Sequence, residues 1–139
     1  MSGEFVDTNV LVYAHDTSAG RKREIAAELI GRLADERVGR TSVQVLSELY
    51  VTLTRKLPHP LGSEAAEEIV SDFATWLAFS PRPDDVVETV RIARRYQVSF
   101  WDAMIVRGAS ALEAEVIWSE DLNPGQAYEG IPVRDPFDG

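Results

Sequence analysis

The chain has 139 residues, a length suited to one domain that buries roughly two-thirds of its unfolded surface. With 45% hydrophobic and 27% charged residues it reads as globular, and a net charge of −9 argues against a passive nucleic-acid binder, which needs a basic surface to neutralise phosphates. The absence of cysteine excludes disulfides, thiolate metal sites and a cysteine nucleophile.

No segment has the apolar length of a membrane span, and Met1-Ser2-Gly3-Glu4-Phe5 lacks the basic and apolar regions of a secretory signal. A reducing cytoplasm is the expected location. Acidity remains compatible with an enzyme whose carboxylates hold cations, because bound ions invert the local field. It is equally compatible with a basic protein partner.

In chain order, Glu4 to Asp7 reads as a short strand and Asn9 to His15 as a helical turn. Ile25, Leu29 and Leu33 recur every four residues and predict a helix from Arg21 to Glu36. Val38 to Thr41 reads as a second strand. A helix follows from Ser42 to Lys56, stopped ahead of Pro58 and Pro60. Another spans Ser63 to Trp76, its early glutamates suited to a helix N-terminus.

Leu77 to Phe79 is a third candidate strand, closed by Pro81 and Pro83. Asp84 or Asp85 can then cap a helix to Gln97. Ser99 to Ala114 reads as a helix, Glu115 to Trp118 as a fourth strand and Ile131 to Val133 as a short fifth. The alternation predicts a single α/β domain over residues 1–139, with a mainly parallel sheet of about five strands between helices. In such sheets, sites form beyond the carboxyl ends of the strands.

Of the chain's 23 acids, Asp7 and Asp121 lie at or just beyond two of those ends, Asp102 opens a helix and Glu48 rides an apolar one. Asp7 ends the run Phe5-Val6, where it could be a site carboxylate held by Thr8 and Asn9 or a helix N-cap. Glu48 flanks the apolar stripe of Val45, Leu46, Leu49 and Leu53, as a ligand or as an ordinary exposed helix residue. Asp102 follows Ser99-Phe100-Trp101. That is a capping-box position, yet Asp102 shares a helical face with Ile105, Val106 and Ala109. Asp121 lies among turn formers in Ser119-Glu120-Asp121-Leu122-Asn123-Pro124-Gly125, with Glu120 as its rival. A shared divalent cation would account for all four acids at once.

The remaining candidates have plainer readings. His15 and His59, the only histidines, read as surface residues, so no serine–histidine arrangement competes. Trp76, Trp101 and Trp118 read as core or interface residues. Arg21-Lys22-Arg23, Arg55-Lys56 and Arg94-Arg95 read as solvated helix charges that could also meet phosphates.

Together these segments resemble the PIN-domain ribonuclease family, and within it the VapC-like toxins of toxin–antitoxin pairs. The resemblance covers nearly the whole chain. It rests on Val6-Asp7-Thr8-Asn9-Val10-Leu11, the central helix glutamate Glu48 and Ser99-Phe100-Trp101-Asp102-Ala103. It is completed by Ser119-Glu120-Asp121-Leu122, Tyr128-Glu129-Gly130-Ile131-Pro132-Val133 and Asp135-Pro136-Phe137.

The likeness implies a three-layer α/β/α fold and Mg²⁺- or Mn²⁺-dependent cleavage of RNA, leaving 5′-phosphate and 3′-hydroxyl ends. It assigns metal-ligand roles to Asp7 and Asp102, assisting roles to Glu48 and Asp121, and an organising role to Asn9. Ser119 matches a position that often carries a hydroxyl, supporting the site or touching substrate. It further implies a homodimer inhibited by a small antitoxin. Arg107 departs from the pattern, standing where relatives have a small residue, and is expected at the surface or an interface. An inactive protein-binding module and a metal phosphoesterase of small substrates are the alternatives. The lack of a Gly-rich phosphate loop weakens the second.

Overall fold

The computed structural model describes residues 3–138; Met1, Ser2 and Gly139 lie outside them. Six strands and six helices follow one another as β1 (Glu4–Val6), α1 (Thr8–Tyr13), α2 (Arg21–Glu36), β2 (Gly39–Ser42), α3 (Val43–Arg55) and α4 (Ser63–Phe73). Then come β3 (Leu77–Phe79), α5 (Pro83–Tyr96), α6 (Phe100–Ala111), β4 (Val116–Trp118), β5 (Ala127–Tyr128) and β6 (Ile131–Arg134).

The strands lie in the order β3-β2-β1-β4-β6-β5. All pairs are parallel except β5 with β6. Order reverses between β1 and β4, which pair in register Phe5 to Ile117 and Val6 to Trp118. A crevice opens beyond the carboxyl ends of two strands that diverge in this way.

Every residue of β1 is buried, so both faces of the sheet are covered there. Successive strand side chains point to opposite faces. Glu4 meets Arg32 of α2, while Phe5 faces Gly108 of α6. Hence α2 and α6 lie on opposite sides, and the fold is a three-layer α/β/α sandwich. Leu11, Leu33, Leu49 and Leu53 fill one side with Val6. Val106 and Ala109 of α6 join Phe5 and Ile117 in the same continuous core. A Cβ at Gly108 would stand 3.1 Å from the Phe79 ring and 3.5 Å from that of Phe5. The small residue lets α6 lie close on the sheet.

Three expectations are corrected. The sheet has six strands, because Ala127–Tyr128 adds a two-residue antiparallel partner to β6. Its turn, Glu129-Gly130, takes φ of 51° and 80°, the positive angles of a tight hairpin turn. Pro83 does not merely close β3: it starts α5, where a missing N–H costs nothing. Arg82 is then the N-cap, and Asp85 accepts from its N–H at 2.8 Å. Finally, α6 ends at Ala111, where Leu112 caps it and Glu113 turns left-handed with φ 53°.

Arg107 resolves its own awkwardness. Its guanidinium crosses from α6 to Asp85 on α5, with contacts of 2.8 and 2.9 Å. The N–H of Arg82, and then Arg107, hold the Asp85 carboxyl below its ordinary range against the opposing effect of burial. His15 is half-buried rather than superficial, with Nδ1 3.0 Å from the Leu11 carbonyl and its ring edge-on to Phe73. His59 is exposed.

Candidate metal and active site

Asp7 leaves β1 and is the N-cap of α1. Its Oδ1 accepts from Thr8 N at 2.7 Å and its Oδ2 accepts from Ser119 Oγ at 2.8 Å. Its backbone N–H donates to the Trp118 carbonyl at 2.9 Å, tying the ends of β1 and β4 together.

Ser119 is completely buried. Beside its bond to Asp7, its hydroxyl accepts from Asp121 N at 3.1 Å and Leu122 N at 3.2 Å. It therefore orients Asp7 and shapes the loop after β4.

Glu48 projects from the middle of α3 and is half-buried. Oε1 accepts from Thr8 Oγ1 at 2.7 Å, and Oε2 accepts from Gln44 Nε2 at 3.1 Å. Thr8 thus holds Asp7 with its backbone and Glu48 with its hydroxyl. Gln44 also donates to the Trp101 carbonyl at 3.1 Å, linking Glu48 to the residue before Asp102. Asp102, on the first turn of α6, is half-buried, and its N–H donates to the Ser99 cap at 3.1 Å.

Glu48 and Asp121 act on both Asp7 and Asp102. Burial pushes the Asp7 carboxyl up to about 7, and the charges of Asp121 and Glu48 add to the rise. Its bonds from Ser119 and Thr8 pull the other way. Burial also raises Asp102, again with repulsion from Asp121 and Glu48 and with Ser99 opposing. Asp121 itself stands exposed on the rim.

Among the described residues, none of the four acids forms an ion pair with lysine or arginine. Repelling oxygen ligands without a protein counter-ion suit a hard divalent cation. Among the described residues, no three His, Asp or Glu side chains are grouped closely enough to hold a metal ion by themselves.

Asn9 sits differently from expectation. Its Oδ1 accepts from the Glu120 N–H at 3.4 Å rather than the amide gripping a carboxylate, and its buried Nδ2 has no partner among the described residues. Glu120 is not free to compete with Asp121: it accepts from Tyr13 and pairs with Lys22. Trp101 is 61% exposed beside the acids, so it is no core residue. Trp76 and Trp118 are half-buried.

Sequence reasoning missed Gln44 and the double role of Thr8. The Gln44–Glu48 spacing of one helical turn was the available signal for the first. An apolar groove of about 460 Å³, lined by Ile30, Ala34, Ile69, Phe73 and Trp76 among others, contains none of the four acids. Its lining includes a single carboxylate, Asp72, together with His15.

Residues 5–129 match the PIN domain family, and the chain belongs to it. Among solved structures, VapC20 of Mycobacterium tuberculosis, described as a Sarcin–Ricin loop cleaving toxin, is similar with a TM-score of 0.67 and 20% identity. That likeness covers 86% of this chain and 90% of VapC20. FitAcB from Neisseria gonorrhoeae is similar with a TM-score of 0.61 and 14% identity, covering 96% of this chain and 97% of the other. At these identities the likeness is one of fold. No curated protein sequence matches the chain.

Proposed function

We propose that this protein is a Mg²⁺- or Mn²⁺-dependent endoribonuclease and the toxin of a toxin–antitoxin pair. The observation that supports the reading is that the charges of Glu48 and Asp121 act on both Asp7 and Asp102, near the ends of β1 and β4. Membership of the PIN domain family supports it.

Asp7 and Asp102 would hold the ion, with Glu48 and Asp121 assisting. When bound, the ion supplies neutralisation of phosphate charge and a more acidic water. The chain's own part is positional and basic. Ser119 and Thr8 fix Asp7, and Thr8 with Gln44 fixes Glu48. One carboxylate of the group accepts the proton of the attacking water. Attack at phosphorus in line with the leaving 3′-oxygen gives a 5′-phosphate and a 3′-hydroxyl. With a net charge of −9 the chain has no overall basic excess to draw RNA. VapC20 cleaves the Sarcin–Ricin loop, which makes structured RNA the first substrate class to try.

The acidic surface suits a basic inhibitory arm of a small antitoxin. Exposed Val43, Tyr50 and Val51 on α3, with Val86, Val87 and Val90 on α5, support pairing of two copies.

The test uses purified protein, RNA and Mn²⁺, with EDTA as control. Asp7→Asn and Asp102→Asn should each lower cleavage by at least a hundredfold while the circular dichroism spectrum is retained. Mapping of cut ends after brief induction in cells, with Asp7→Asn alongside, then identifies the RNA. If both variants cut as fast as wild type, the site assignment is wrong.

A further inference from the structure

Glu120 lies between two residues of the site, Ser119 and Asp121, yet its own carboxylate is turned to other partners. Oε1 accepts from the Tyr13 hydroxyl at 2.7 Å, and Oε2 pairs with the Lys22 ammonium. The ammonium also lies 4.9 Å from the centre of the Tyr13 ring and 5.3 Å from that of Phe137. Those two rings meet edge to face at 5.0 Å. Four separate segments therefore meet around the Lys22 ammonium: the end of α1, the start of α2, the loop after β4 and the segment after β6.

The loop needs such a hold. It runs through Asn123-Pro124-Gly125, with Gly125 at φ 83°, and Asp121 is exposed on it. A loop free to sample other shapes loses entropy when its carboxylate is drawn to an ion, and that loss weakens binding. An anchor at Glu120 removes the loss beforehand. Cation–ring contacts add directionality to the ammonium, because it is drawn to two ring faces as well as to one carboxylate.

We infer that Lys22 and Tyr13, backed by Phe137, are positioning residues that clamp Glu120, hold Ser119 and Asp121 beside Asp7, and thereby set the affinity of the site for its divalent cation. The inference rests on the metal reading proposed above. Glu120 is then an anchor and not a ligand, and Lys22 acts on the ion only through the loop.

The test is calorimetric titration of Mn²⁺ into protein without RNA, backed by KM and kcat on RNA. Lys22→Met and Glu120→Gln should each weaken Mn²⁺ by about tenfold or more, the effect of losing a residue that orients a ligand. Lys22→Arg should recover most of the affinity, and Tyr13→Phe should show a smaller loss. Circular dichroism in EDTA should match wild type for every variant.

Tighter Mn²⁺ binding by Lys22→Met would mean that the released Glu120 is itself a ligand, and would overturn the inference. So would unchanged Mn²⁺ binding, whether KM for RNA rises, making Lys22 a phosphate contact, or stays level, making the cluster purely structural. A wild type that binds no Mn²⁺ would remove the metal reading and the inference with it.

Discussion

Burial of the Asp7 carboxyl imposes a cost that depends on pH. Its value rises on folding from 3.8 to about 7, so the folded protein holds this proton more tightly than the unfolded chain. Below the unfolded value both states are protonated and nothing is lost. As pH climbs through about 7, stability falls until the charge stands fully ionised in a buried position. The shift corresponds to about 4 kcal/mol at most. In EDTA, Asp7→Asn should therefore raise Tm at pH 8 and leave it nearly unchanged at pH 4. Parallel Tm-against-pH curves for wild type and variant would sink the idea. The words Asp7-Thr8-Asn9 made this residue legible as a candidate from sequence. Glu48 was less so, because the Thr8 hydroxyl that engages it comes from forty positions away, beyond any local pattern.

The helices carry a different constraint, the closeness of α6 to the sheet. Gly108→Val would push methyl groups into the rings of Phe79 and Phe5. We expect a loss of about 2 kcal/mol, measured by urea unfolding, since overpacking of this kind costs roughly 1–3 kcal/mol. An unchanged midpoint would mean that α6 can move off the sheet freely. Most helices were legible because their apolar positions recur every three or four residues. The hairpin strand β5 was not, since Ala127–Tyr128 is too short to alternate and Glu129 is an unusual residue for a left-handed turn position. The start of α5 was misread because Pro83 signals a stop as readily as a first helical residue. Arg107 looked out of place until Asp85, on a neighbouring helix, came into view.

Two of the exposed apolar stripes bear on the assembly of whole molecules. Val51 on α3 and Val87 on α5 are 44% and 52% exposed, more than lone surface valines need explain together. If they cover a second copy, sedimentation should show a dimer for wild type and a monomer for Val51→Asp with Val87→Asp. A wild-type monomer at working concentrations would count against pairing. The sheet order of the entire fold was only partly legible: alternation implied parallel strands, but which strands become neighbours depends on packing among distant segments. The adjacency of β1 and β4 is the piece that matters for the acids, and it joins residues more than a hundred positions apart.

That adjacency has a consequence for how the molecule comes into being. Ser119 must be in place for Asp7 to receive its hydroxyl bond, and Asp121 arrives two residues later. A growing polypeptide on the ribosome holds Asp7 and Glu48 through much of its synthesis without the strand that completes their setting. Contacts so distant in sequence form late. The site of the proposed nuclease is therefore incomplete until β4 and Ser119 have emerged.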